Sequence, residues 1–140
     1  MKQPTTACKR LVYLIIFLVL VAVEVLIALF VHDSFVRPYV GDVIVVAVIC
    51  CFLRIFIPNK IKLMPLYVFL FAAAVEVLQY FDYVTVLGLG DSKFFRILLG
   101  TSFSYADIIC YAVGGVICIG AEYIINYALA NICDQVIDAA

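Results

Sequence analysis

Four acidic residues lie in stretches of sequence that are otherwise apolar, where a carboxyl group can bind a cation, hold a proton or act as a general acid or base. Glu24 and Glu76 fall inside two apolar runs, and Asp42 and Asp107 open two others. An ionisable side chain inside a membrane costs about 2.5–3.5 kcal/mol on insertion scales. These four residues therefore mark a candidate functional site.

Glu76 is the acid that packing explains least well. It lies near the middle of its run, and Gln79 follows three residues later, so both polar side chains share one face of a helix. One interpretation is an acid that lines a cavity and binds or transfers a proton or a cation. The other is a protonated carboxyl group that hydrogen-bonds to a neighbouring helix. Glu24 admits the same two interpretations.

The two aspartates have a structural alternative, because both stand where a helix is predicted to begin. Ser104-Tyr105-Ala106-Asp107 matches the capping box, in which side chains satisfy free backbone donors at a helix start. Asp42 could cap its helix in a similar way, since the helix dipole favours an anion there. Capping and a role in the site are compatible.

Membrane helices must position these acids, because 68% of the residues are hydrophobic. A helix needs about 20 apolar residues to span the hydrocarbon. We predict an all-α polytopic membrane protein, a single domain over residues 1–140 that forms a compact bundle of four transmembrane helices. The predicted spans are about 11–31, 42–57, 63–83 and 104–127, with Pro58 ending the second and a polar tail from Asn131.

Lysine and arginine residues predict the orientation, because cytoplasmic loops are enriched in them. Six fall in the N-terminal segment and the second connection, against three in the other two connections. Both termini are therefore expected in the cytoplasm. At about 1.5 Å per residue, all four acids converge on the outer half of the bilayer. An inverted orientation would change the side but keep the cluster.

Three further features accompany the acids. Residues 93–99, between Ser92 and Gly100, could form a short interfacial or re-entrant helix whose Lys93 and Arg96 reach lipid phosphates or the acids. Arg37 could pair with Asp42 or bind a phosphate. At the opposite face, Arg54 and Glu122 could pair or extend separately to the headgroups.

Small residues recur at every fourth position of the last span, namely Ala106, Cys110, Gly114 and Cys118. This spacing predicts close packing of the last span against a neighbour such as span three.

Several classes of function are disfavoured. A net charge of −1 gives no basic face for nucleic acid. Six cysteines without a Cys-x-x-Cys pair and a single histidine predict neither a metal site nor a cofactor. No serine–histidine pairing or phosphate-binding glycine loop is evident, so the sequence favours a binding protein over an enzyme and identifies no catalytic residue.

A pattern of polar and small residues extends over the chain and consists of the segment from His32 to Asp42, the Glu76–Gln79 segment, Arg96, and Ala106-Asp107 with Gly114-Gly115. This pattern resembles a bacterial membrane family, domain-of-unknown-function family 2809. The resemblance covers about residues 10–127. The second half is also similar to the VanZ-like group, although Tyr111 stands where that pattern expects asparagine. VanZ is associated with teicoplanin resistance, which implies a role in the cell envelope and a location in the bacterial cytoplasmic membrane. The matching positions are Arg37, Gly41, Asp42, Glu76, Gln79, Arg96 and Asp107.

Three functions stay open from the sequence. The first is binding of an amphipathic or lipid-linked envelope molecule. Its anionic head would meet Arg37, Lys93 and Arg96, and the polar pocket below would be lined by Glu76, Gln79 and Asp107. The second is an enzyme that uses Glu76 and Asp107 as paired carboxylates. The third is a structural partner subunit or a small proton-coupled carrier. The expected partners are the lipid bilayer, an anionic lipid or lipid-linked ligand, and further copies of the chain. The candidate ligand-binding residues are Glu24, Arg37, Asp42, Glu76, Gln79, Arg96 and Asp107.

Overall fold

A computed structural model describes residues 5–58, 61–81, 83–89, 91–93 and 104–138, and no strand occurs in these ranges. The prediction of an all-α fold is therefore confirmed for the described residues. The helices are α1 (Thr6–Phe30), α2 (Val36–Phe56), α3 (Met64–Tyr80), α4 (Tyr83–Val86) and α5 (Tyr105–Asp138).

Three of these helices are long and apolar enough to cross a membrane, namely α1, α2 and residues Tyr105–Ile132 of α5. Their outward side chains include Leu18 and Val116, which are 57% and 70% exposed. Apolar surface of this extent is compatible with lipid as the surrounding solvent, so the chain is a membrane protein. The apolar helix α3 is shorter, with 17 residues, and its crossing of the bilayer stays a prediction.

Helix α2 is central to the bundle, because it packs against α1, α3 and α5, while α3 also packs against α5. The buried core lies between α2, α3 and α5, and its members are Val46, Cys50, Met64, Val68 and Cys118. Cys50 and Cys118 pack here as small apolar residues.

Helix α5 approaches α2 closely at Gly114. A Cβ atom at Gly114 would lie 2.7 Å from the Val43 carbonyl oxygen and 3.1 Å from the Val46 Cβ atom. Gly115 faces α3 instead, where a Cβ atom would lie 3.7 Å from the Phe69 Cβ atom. The small residues of the last span therefore permit close packing, as predicted, but the tightest contact is with α2 rather than with the third helix.

The start of α2 differs from the prediction, because the helix begins at Val36 rather than near Asp42. Pro38 falls in the first turn, where its missing N–H leaves no hydrogen bond unmade. Asp42 consequently lies more than one turn inside the helix, and the first turn of α2 contains no acid. The prediction that Asp42 caps this helix was wrong.

The other boundaries differ by smaller shifts and one long extension. Helices α1 and α3 occupy Thr6–Phe30 and Met64–Tyr80 instead of 11–31 and 63–83. Helix α5 continues to Asp138, so the predicted polar tail is largely helical. Neither proline nor glycine occurs in residues 121–138 to interrupt it. Of the short helix predicted over residues 93–99, all but Lys93 lies outside the described residues.

Candidate functional site

One acid from each of four helices contributes to a single cluster: Glu24 from α1, Asp42 from α2, Glu76 from α3 and Asp107 from α5. Asp42 occupies the centre, because it interacts electrostatically with the other three carboxyl groups. The structure thus brings together the acids that the sequence placed at one level of the bundle. Their role in binding stays a prediction.

Asp42 and Asp107 face each other within the cluster, with their carboxyl groups within hydrogen-bonding reach. A hydrogen bond between two carboxyl groups requires that one of them carries a proton, because an ionised carboxylate only accepts. The sequence suggested Glu76 as the partner of Asp107. The difference arises because Asp42 lies inside α2, on the helix that Gly114 brings close to α5.

Glu76 links α3 to the start of α5. Its side chain is 1% exposed, and its Oε1 atom accepts a hydrogen bond of 2.7 Å from the backbone N–H of Ser104. The Tyr111 hydroxyl also lies within hydrogen-bonding reach of this carboxyl group. These contacts satisfy a buried polar group, as native proteins generally require. They agree with the interpretation that Glu76 joins two helices.

The hydrogen bond from the Ser104 N–H to Glu76 also replaces one of the hydrogen bonds of the predicted capping box. In that motif the third helical residue, here Asp107, would accept from the Ser104 N–H. Glu76 from another helix takes that place, and Asp107 faces Asp42 instead. Sequence reasoning missed the part played by Tyr111, although its position four residues after Asp107 places both on one face of α5.

Glu24 lies beside an open cleft of about 510 Å³ between α1 and the start of α2. Its Oε1 atom is buried and has no hydrogen-bond partner among the residues that the structure describes. The lining residues are Glu24, Ile27, Ala28, Arg37, Pro38, Gly41 and Asp42. Gly41 lies directly beside this carboxyl group, since a Cβ atom there would lie 3.7 Å from the Glu24 Oε2 atom, an ordinary contact distance.

Arg37 lines the same cleft and is exposed at its rim. Within the described ranges no ion pair joins it to Asp42, so of the two roles considered for Arg37 the pairing is not formed, and phosphate binding stays a prediction. Gln79 is half-buried in α3 and is not among the residues that line this cleft. Arg96 lies outside the described residues.

No group of three or more His, Cys, Asp or Glu in the described part of the chain is placed to hold a metal ion.

A second polar cluster occupies the other end of the bundle. Arg54 donates from Nε to Glu122 Oε1 at 2.7 Å and from Nη2 to Glu122 Oε2 at 2.8 Å. Its Nη1 atom contacts the Pro58 carbonyl oxygen at 3.4 Å. The two side chains are 7% and 13% exposed. Of the two interpretations drawn from sequence, the structure therefore shows the pair, in the bidentate geometry that makes arginine–carboxylate contacts strong.

A family model described as "Protein of unknown function (DUF2809)" matches residues 31–115, which is more than half of the chain. The matched range includes Arg37, Asp42, Glu76 and Asp107, whereas Glu24 precedes it. No curated protein and no solved structure matches the chain. The resemblance to the VanZ-like group stays a prediction.

Proposed function

This protein belongs to the DUF2809 family, and we propose that it binds the polar end of an amphipathic or lipid-linked molecule in the cleft between α1 and α2. The observation that carries the proposal is the buried Oε1 atom of Glu24. It lacks a hydrogen-bond partner among the described residues and lies beside an open cavity.

An unsatisfied buried polar group costs about 1–3 kcal/mol, and more when it is charged. The protein can recover this free energy when a ligand brings a hydrogen-bond donor into the cleft. Other acids of the cluster have their own contacts, Glu76 with Ser104 and Asp42 with Asp107. Glu24 is therefore the carboxyl group of the cluster that a ligand would satisfy.

The charges around the cleft indicate the chemistry of the ligand's head. Carboxyl groups of Glu24 and Asp42 accept hydrogen bonds and favour an amine or a hydroxyl group. Arg37 at the rim favours a phosphate or a carboxylate. A head that combines a donor or a cation with an anionic group meets both requirements.

The surroundings of the cleft suit an apolar tail. Ile27 and Ala28 form its apolar wall, and Leu26 and Leu29 on the same helix are 53% and 61% exposed. A tail can remain in the lipid beside α1 while the head enters the cleft. We place the cleft on the outer side of a bacterial cytoplasmic membrane with both termini in the cytoplasm, because lysine and arginine predominate in the N-terminal segment and the second connection.

Native mass spectrometry of the protein released from lipid nanodiscs tests this proposal. Glu24→Leu removes the acceptor, and Ala28→Phe fills the cleft. Matched controls are Asp91→Leu, at an exposed acid, and Ala22→Phe, at an exposed alanine of α1. We expect a discrete bound mass in the wild-type protein and both controls that is reduced at least about tenfold in the two cleft variants. Absence of any bound mass, or its full retention in Ala28→Phe, would contradict the proposal.

The contact between Asp42 and Asp107 supports a second candidate function, in which the cluster takes up or transfers a proton. Two carboxyl groups in contact can share one proton, and neighbouring acids extend the path toward Glu76 and Glu24. Proton flux into proteoliposomes with an interior pH dye tests this function. We expect a flux that Asp107→Asn abolishes and Asp91→Asn leaves unchanged; equal flux in empty liposomes would reject it. The same pair is also where a general acid and base of an enzyme would lie.

A further inference from the structure

We propose that the opposite end of the bundle holds a second ligand site, which binds an anionic phospholipid through its phosphate group. The site is a cavity of about 210 Å³ between the first turns of α1, the end of α2 and the middle of α5. Its lining residues are Lys9, Tyr13, Arg54, Pro58, Ile61, Lys62, Glu122 and Asn126.

The charge of this cavity favours an anion. Three cationic side chains and a single carboxylate line it, which leaves a net charge of +2. Both oxygens of that carboxylate, on Glu122, already accept hydrogen bonds from Arg54. Lys9 is only 6% exposed, and its positive charge acts on the Arg54 guanidinium. An anion bound in the cavity would reduce the repulsion between these two like charges.

The hydrogen-bonding groups of the cavity suit a phosphate. The lysine ammonium groups and the Tyr13 hydroxyl are donors, and the Asn126 amide adds two further N–H groups. A phosphate offers several acceptor oxygens to such donors, and hydrogen bonds between ionised groups are the stronger ones. Several donors from α1, α5 and the second connection can therefore meet one phosphate.

An apolar groove adjoins this cavity and distinguishes a lipid from free phosphate. The groove has a volume of about 330 Å³ and lies between α2 and α3. Its lining residues are Ile49, Leu53, Ile57, Ile61, Met64, Tyr67, Val68 and Phe71. Ile61 lines both the groove and the charged cavity. A lipid whose phosphate lies among the lysines can thus place an acyl chain along the groove.

This site is separate from the cleft of the proposed function. Lys9 and Glu24 lie 15 residues apart on α1, which corresponds to about 22 Å along a helix. The inference therefore does not rest on the acid cluster, and the variants that test one site leave the residues of the other unchanged.

Lipid retention in mixed nanodiscs tests the proposal. The protein is reconstituted in phosphatidylcholine with a minor fraction of phosphatidylglycerol, and retained lipid is counted by native mass spectrometry. Lys9→Met and Lys62→Met remove one charge each, and Arg10→Met is the matched control, because Arg10 is exposed and does not line the cavity. Each cavity variant removes a charged hydrogen-bond donor to the phosphate, whereas Arg10 makes no such contact in the cavity. We therefore expect phosphatidylglycerol retention to fall about tenfold in each cavity variant and to be unchanged in the control.

Competition by millimolar inorganic phosphate distinguishes the two sources of phosphate. Retention that persists in its presence supports a lipid, whereas displacement would assign the cavity to a soluble phosphate and overturn the proposal. Equal retention in Lys62→Met and Arg10→Met would also overturn it. Lys62 is exposed, so its variant keeps the test valid if loss of the buried Lys9 prevents folding.

Discussion

The side-chain carboxyl group of Glu76 in α3 accepts a 2.7 Å hydrogen bond from the backbone N–H of Ser104, the residue that precedes α5. The first N–H groups of a helix have no partner within it. Here a side chain from another helix accepts the hydrogen bond. One contact therefore gives the Ser104 N–H a partner and also fixes α5 against α3.

Replacement of Glu76 should separate its acceptor function from its charge. Glu76→Gln keeps an oxygen that can accept from the Ser104 N–H, whereas Glu76→Leu leaves that donor unpaired. We expect the leucine variant to lose about 1–3 kcal/mol of stability and the glutamine variant to lose clearly less. Thermal unfolding in detergent measures the difference. Equal melting temperatures of the two variants would show that the hydrogen bond does not stabilise the bundle.

The two adjacent glycines of α5 should respond differently to alanine. A Cβ atom on Gly114 would lie 2.7 Å from the Val43 carbonyl oxygen, so the backbones of α5 and α2 would have to move apart. On Gly115 the nearest atom would lie at 3.7 Å, an ordinary contact. We expect Gly114→Ala to cost about 1–3 kcal/mol and Gly115→Ala to be nearly neutral. The order of their unfolding temperatures checks this, and the reverse order would contradict the close helix approach.

Removal of one partner of the Arg54–Glu122 pair should cost more than removal of both. Glu122→Leu leaves the Arg54 guanidinium buried without its bidentate partner. Such a change costs about 3–5 kcal/mol, whereas replacing both partners by apolar residues is often close to neutral. We therefore expect Arg54→Met combined with Glu122→Leu to be more stable than Glu122→Leu alone. A double-mutant cycle with additive effects would mean that the pair is energetically uncoupled.

The carboxyl pair of Asp42 and Asp107 should make stability depend on pH. A hydrogen bond between two carboxyl groups needs a proton on one of them, and loss of that proton leaves two negative charges in repulsion. In Asp107→Asn, the amide donates to the Asp42 carboxylate without that proton. We expect the melting temperature of the wild type to fall relative to Asp107→Asn as the pH rises. Parallel pH profiles of the two proteins would refute a shared proton.

The sequence by itself determined the helical membrane architecture and the level at which the acids lie. Apolar runs predict helices, and the constant rise per residue converts sequence spacing into depth. Glu24, Asp42, Glu76 and Asp107 could therefore be assigned to one end of the bundle before any contact was known.

The helix boundaries could be predicted less well, because local signals compete there. Pro38 was consistent with a turn before the second helix, but the first turn of α2 accommodates it. That shift moves Asp42 into the helix and changes its role from a cap to the centre of the acid cluster.

Only the tertiary structure decided which polar groups meet. Depth alone does not specify how each helix is rotated about its axis or which neighbour it approaches most closely. The contact of Gly114 with Val43 brings α5 against α2, so Asp107 faces Asp42 while Glu76 reaches Ser104. Hydropathy and spacing fix positions along a helix, whereas close packing between helices fixes the pairs.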